Sequence, residues 1–439
     1  SFAGIEFQDV IYHYLMLDVP PFEDESYISS TEDYIVKLDF QLARVNYPQG
    51  GSSKIISTWE ELNKDLLDDD FGKFIKKSRK VGEELLASDL KLNPDSLSDS
   101  ERCRTIVDYV KSHYRWDGIQ TKYPLQSTKD FLIKKTGNSA EINLFTTGLL
   151  EAAGFEVIPV LLSTRDNGKI HTSYPFSHVM NYVLPLVKME GMYYFVDATH
   201  DYLPYNRIPA ECINGNGLTV EEKDPSWVEL SAGASSVTED LLVLEIDPQT
   251  LNLQTTGQRI LKDYIAADYR EELKDDEKEI INKVSAFNKD WTVDEVHSLN
   301  YETLAKPYIL SYKAHQPLRA LDNNVVLHPF QNLTYSKNPF NQDNRKLPVD
   351  LIYRQHHKLL STINIPKGYR VSQLPKNLVI ANDLLDVTLV YENKDSQILC
   401  SALLSFKKAN YSPEEYPELR KHMEKAVQSF NQGLILSGN

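Results

Sequence analysis

The chain carries only 3 cysteines in 439 residues, Cys103, Cys212 and Cys400, too few and too far apart for a disulfide framework or a thiolate metal site. They read as buried thiols, a pattern that fits a reducing cytosol and an exported bacterial protein equally. Glycine and proline are modest, 18 and 21 residues, which excludes collagen-like and low-complexity structure. No apolar run approaches the ~20 residues that span a bilayer. Basic residues are outnumbered, 47 Lys and Arg against 63 Asp and Glu, and the net charge of −16 would repel a phosphate backbone. No basic cluster with interleaved aromatics offsets that field, so nucleic acid is excluded as a partner. The chain also opens without Met or a signal peptide, at Ser1-Phe2-Ala3-Gly4, and the expectation is a trimmed or processed product.

What is present is ordinary globular composition, 41% apolar and 25% charged residues, in a length that calls for two to four domains. Residues 27–47 alternate apolar and polar, which predicts a half-buried strand. Helical spacing begins at Thr58, a predicted N-cap with Glu61 three residues on, followed by Leu62, Leu66, Leu67, Phe71 and Phe74. Asn93-Pro94-Asp95 breaks the chain, and Ser98 or Asp99 then caps a helix with Cys103, Ile106, Val107 and Val110 on one face. A second long helix opens at Asn138 and ends at Ala153-Gly154. Strands follow at 157–163, 179–186 and 193–196, then at 241–246, 252–256, 309–313, 351–354, 387–391 and 399–406, with helices at 275–287 and 413–430.

Ser139 stands at the start of the helix opened by Asn138, where the macrodipole is positive and a nucleophile with its oxyanion donors would belong. Attack on an acyl carbon needs a base and a group to orient it. His178 opens one strand of a predicted hairpin and Asp197 closes the next, so antiparallel pairing would bring them together. A second reading of the same segment is purely structural: Asn138 with Glu141 is a capping box, and Ser139 is then only the first residue of a well-capped helix.

Gly137-Asn138-Ser139, Phe176-Ser177-His178-Val179 and Tyr193 through Thr199, in this order and context, resemble the Cys, His and Asp blocks of transglutaminase-like proteins of the papain-type superfamily. The runs Asp197-Ala198-Thr199 to Leu203-Pro204-Tyr205 and Ile213-Asn214-Gly215 are similar to those of bacterial members with flanking β domains of unknown function. Pro366-Lys367-Gly368-Tyr369 and Tyr411 through Tyr416 resemble those flanks. The resemblance implies an α+β multidomain fold, a transglutaminase-like core flanked by β-sandwich-like domains. It divides the chain into an N-terminal β segment at 1–57, the core at 58–228 and a β-rich region at 229–439, with a further split near 345 as the alternative to a single domain there. It makes Ser139 the nucleophile position, His178 the base, Asp197 its orienting carboxylate and Trp116 an oxyanion aromatic. Export to a bacterial periplasm or cell surface is implied with it.

Two departures from the family pattern bear on activity. Serine replaces the cysteine, and a hydroxyl cannot be held ionised as a thiol of pKa ~8.5 can. Eighteen residues lie between His178 and Asp197, and a turn centred at Met189 and Glu190 places Tyr182 opposite Asp197. His178 is then about four residues, or ~13 Å, out of position. In the family the corresponding hairpin is shorter by about that much, which marks Leu184-Pro185-Leu186-Val187 as an insertion, and Pro185 suits a bulge that would absorb it.

His200 and Asp201 are the alternative in a shifted register, and His171 reads as a loop histidine. His356-His357 and Asp68-Asp69-Asp70 lack ligand spacing and read as solvated surface; no metal and no cofactor are predicted. The 25 tyrosines read as strand and core packing, with a peptide or glycan groove as the alternative. The expectation is a core inactivated by the change to serine that binds or assembles peptide, protein or envelope components. The alternative is a peptide amide hydrolase or acyltransferase using Ser139, His178 and Asp197.

Overall fold

The fold comes from a computed structural model that describes residues 11–47, 50–55, 58–88, 90, 96–321, 323–333 and 335–438. The opening tetrapeptide and the predicted break at 93–95 lie outside the described residues. The architecture is α+β and multidomain. The chain divides into two compact units, one of Ser1–Glu25, Ser29–Asp201 and Tyr205–Ser231, the other of Ser26–Ile28, Tyr202–Pro204 and Ala232–Asn439. Among the described residues no helix is long and apolar enough to cross a membrane.

In the first unit, Thr58 and Glu61 form a reciprocal capping box on α1 (Trp59–Asp68). Leu62 and Leu66 of that helix share a core with Phe71 and Phe74 of α2 (Asp70–Ser88). Ser98 caps α3 (Asp99–His113), whose buried face carries the four residues its spacing predicts. After the short α4 (Thr128–Lys134) comes α5 (Ser139–Ala152), in which Glu141 and Glu151 are the only charged residues; every side chain from Ser139 to Leu150 is buried. A helix apolar on all sides belongs at the centre of a core. It packs between α2 and an antiparallel sheet with strand order Met192–Phe195, Tyr182–Met189, Val157–Leu162, Gly215–Thr219, Trp227–Leu230.

The alternating run at 27–47 is not one strand: only its end, Arg44–Asn46, is. A 3-10 turn, Thr31–Asp33, sits near its start, and among the described residues pairing is confined to Arg44–Asn46 with Ser52–Lys54. Val36, Leu38, Phe40 and Leu42 are exposed. Alternation gives a strand two faces but supplies no partner for its backbone groups.

The second unit holds an eight-stranded sheet in the order Thr292–Leu299, Tyr308–Pro317, Asn252–Lys262, Ser236–Asp247, Gln355–Asn364, Gln397–Phe406, Leu385–Lys394, Leu378–Ala381. Two antiparallel halves join through one parallel pair, Ser236–Asp247 with Gln355–Asn364. Strands from both sides of residue 345 therefore share one sheet, and the chain does not split there. The helices α6 (Tyr264–Leu273), α7 (Glu277–Phe287) and α8 (Tyr416–Phe430) contribute to the same core, with the four-stranded sheet that contains Asn324–Leu327 and Leu434–Gly438. The strand expected at 351–354 is a bend with Ile352 at φ 68°, and pairing starts at Gln355.

Candidate functional site

Ser139 is the first residue of α5, behind the N-cap Asn138, whose side chain accepts from the Glu141 amide at 2.9 Å while the Glu141 carboxylate accepts from the Asn138 amide at 2.9 Å. The Ser139 side chain is fully buried. Its hydroxyl donates to the Thr121 carbonyl at 3.0 Å and accepts from the Thr121 amide at 3.0 Å. Its own amide is spent on the Ile119 carbonyl, also at 3.0 Å. The same strap, residues 119–126, is tied down further by Glu141, whose carboxylate takes the amides of Leu125 and Gln126 at 2.8 Å each and the Gln126 side chain at 2.9 Å. Gly137 is needed beside this carboxylate, because a Cβ there would lie 2.5 Å from Glu141 Oε2. An oxyanion site requires unspent donors, and here the amides of Asn138 and Glu141 are spent on the capping box and that of Ser139 on the Ile119 carbonyl.

His178 is not on a strand. It lies on a 3-10 turn, Ser177–Val179, with its side chain exposed and, among the described residues, no hydrogen bond to Ser139 or Asp197. Buried Lys122 holds that turn, its Nζ donating to the carbonyls of Ser177 and Met180, and burial pushes the Lys122 pKa down to about 8. Partial desolvation and then the Lys122 charge hold the His178 pKa below its ordinary value, against a smaller opposing pull from Asp39.

The hairpin register accounts for the separation. Glu190 and Gly191 form the two-residue turn, at φ 52° and 81°, and the pairs run Met189 with Met192 through Leu186 with Phe195. Continued by two residues, that register sets Asp197 opposite Leu184, six positions from His178 rather than four. The expected bulge is absent: Pro185 pairs with Pro159 in a register without a shift on either side.

Asp197 is fully buried and has other partners. Its carboxylate accepts from Asn143 Nδ2 at 3.0 Å, the Tyr182 hydroxyl at 3.1 Å, the amides of Thr199 and His200 at 2.9 and 3.0 Å, and His200 Nδ1 at 3.2 Å. His200 Nε2 meets Glu211 Oε1 at 2.9 Å. With a carboxylate on each ring nitrogen, His200 is an imidazolium. Burial opposes that charge, but Asp197 and Glu211 outweigh it and raise the His200 pKa to about 10. Burial likewise opposes the Asp197 charge, and the bond and charge of His200, with Lys111 and Asn143, hold its carboxyl well below the usual range. Lys111 completes the group by donating to the His200 carbonyl at 2.7 Å.

Of the residues singled out in the sequence, the structure thus joins Asp197 to His200, one member of the shifted-register alternative, while Asp201, the other, is exposed, and it leaves Ser139 and His178 apart from the Asp197–His200 pair. Trp116 is half-buried, spends its indole N–H on the Ile119 carbonyl at 3.1 Å, and has its ring 5.2 Å from that of His200. His171 is an exposed loop residue, and all three cysteines are buried free thiols. The parts of the network that sequence reading missed, Asn143 and Glu211, carried a partial signal. Asn143 lies one turn after Ser139 on a buried helix, where a side-chain amide needs partners.

His356 and His357 are not solvated surface. His357 Nε2 lies 2.8 Å from Asp240 Oδ2, and His356 Nδ1 lies 2.6 Å from Ser405 Oγ. The signal here was period-two patterning: Asp240, Leu242, Leu244 and Ile246 fall on one face, as do Leu253, Thr255, Gly257, Arg259 and Leu261, which puts an acid and a base into the core.

Residues 323–436 match a family model described as a domain of unknown function with solved structure, DUF3858. No curated protein matches the chain. Among solved structures, the chain is similar to a crystal structure named as a "putative protease" from Parabacteroides distasonis, at 11% identity and a TM-score of 0.48. The likeness covers 86% of this chain and 58% of that one, so the chain spans little more than half the length of that structure.

Proposed function

We propose that the first unit is a transglutaminase-like core that no longer turns over substrate and that acts in binding or assembly of a peptide or protein partner. The observation that carries this reading is the state of Ser139: buried, with both hydrogen-bonding roles of its hydroxyl taken by Thr121. The electrostatics agree. His200, the imidazole that Asp197 orients, is held protonated and cannot accept a proton at neutral pH, while His178, which can, has no bond to Ser139. Serine in this position is a fold staple, closing the strap over the helix start. Export to the periplasm or cell surface belongs to the same reading and is checked by fractionating cells that express the full-length gene product.

Treatment with a fluorophosphonate probe tests the reading directly. The expected result is no adduct on Ser139 by mass spectrometry under conditions that label an ordinary serine hydrolase. An adduct that disappears in Ser139→Ala and in His178→Ala would overturn it in favour of hydrolase or acyltransferase chemistry. Ser139→Cys is expected to remain without amidase activity, because the missing component is the base as well as the sulfur.

A further inference from the structure

The second unit contains a cavity of about 310 Å³ at one end of its eight-stranded sheet, lined by side chains of that sheet, α6 and the loop that carries Leu333 and Tyr335. Its floor is an ionic network in a place that the strand pattern reserves for apolar residues. Arg259 donates to Asp240 through Nε at 2.7 Å and Nη2 at 3.0 Å, and to the Tyr269 hydroxyl through Nη1 at 3.1 Å. The guanidinium also stacks over Phe287 at 3.8 Å. Among the described residues three of the five guanidinium N–H groups are thereby spent. His357, on the strand beside Asp240, shares the Asp240 carboxylate through Nε2, and among the described residues its Nδ1 has no partner.

We propose that this cavity binds a small carboxylate with an apolar body, the carboxylate seated on Arg259 and His357 and the body against Ile265, Leu333, Tyr353 and Phe406. The lining supplies donors without a competing acid: Asp240 lies behind Arg259 and is neutralised by it, and Asp268, behind Tyr353, takes the Tyr353 hydroxyl. His356 lines the same space, with Arg354 and Lys358 close enough to act on its charge. A buried ion pair often brings no stability over an apolar packing of the same volume, so the Asp240, Arg259 and His357 cluster in the core invites a role in holding a ligand. A carboxylate meets a guanidinium and an imidazole in the geometry that favours charge-assisted bonds, and the mixed polar and aromatic walls are those of a ligand site. The inference is independent of the reading of Ser139.

Calorimetric titration of the full chain with 3-phenylpropanoate and with 3-phenylpropanamide is the test. The carboxylate is expected to bind at least ~10-fold tighter than its amide. An N-acetyl dipeptide ending in a free Phe carboxylate separates the two sources of this chemistry: preference for it points to a peptide terminus, and preference for the small acid points to a free metabolite. His357→Gln keeps a donor to Asp240 and removes the second ring nitrogen offered to the ligand, so the carboxylate preference is expected to fall while amide binding is unchanged. Equal binding of acid and amide by the unmodified protein, no binding of either, or a preference that survives His357→Gln overturns the proposal. Movement of the His356 and His357 ring signals in the proton spectrum of the unmodified protein on adding the acid provides a readout that needs no variant.

Discussion

Ser139 shows how little a residue's identity says without its partners. The same hydroxyl at a helix start is a nucleophile when a base faces it and a staple when backbone groups do. Ser139→Ala should leave the half-buried Thr121 amide and carbonyl without their partner, which costs about 1 kcal/mol. Denaturant titration should show a lower midpoint with unchanged slope. His200 offers a second test through pH. Its folded pKa, about 10, lies above the ordinary value, so its contribution to stability is full below ~6.5 and is lost as pH rises towards about 10. Asp197 is depressed and contributes above ~3.9, a contribution lost as pH falls through its lowered folded value. Stability of the first unit should therefore decline from pH ~6.5 to ~10. His200→Gln should flatten that limb in urea titrations run across the range.

At the scale of elements, the hairpin between Tyr182 and Phe195 decides which residues meet. Both strands were legible from β-branched and aromatic patterning, and the turn from Glu190-Gly191, but the turn's centre was read one position early. That step moves the partner of Asp197 by two residues, since each strand shifts by one. Gly191 sits at φ 81° with open space around its Cα, so Gly191→Ala should cost about 1 kcal/mol by backbone strain alone. Glu190 occupies the other left-handed position without being Asn or Gly. Glu190→Asn should raise the melting temperature of the first unit by a few degrees in calorimetry. Helix starts were the most readable elements, because Thr58, Ser98 and Asn138 each write a cap and its reciprocal acid within four residues. The strand Gln355–Asn364 was missed because its polar opening, Gln355-His356-His357-Lys358, looks like surface, and α6 because its apolar stripe is interrupted by charged residues.

At the scale of the whole molecule, each unit has its own hydrophobic core, α5 at the centre of one and the eight-stranded sheet in the other. Removing one member of the buried Asp240–Arg259 pair leaves the other uncompensated, and Arg259→Ala should cost about 3–5 kcal/mol. Calorimetry should register that loss in the transition of the second unit and leave the transition of the first in place.

The sequence by itself determined the caps, the buried cysteines, the amphipathic stripes and the α+β class, because these depend on spacing within a few residues. Only the tertiary structure decided that Val36, Leu38 and Phe40 are exposed and have no partner strand among the described residues, that Asp197 takes His200 instead of His178, and that Asp240, Arg259 and His357 meet. Those outcomes depend on register and on contacts between distant segments, where one position along a strand reverses a side chain's face and two change its partner.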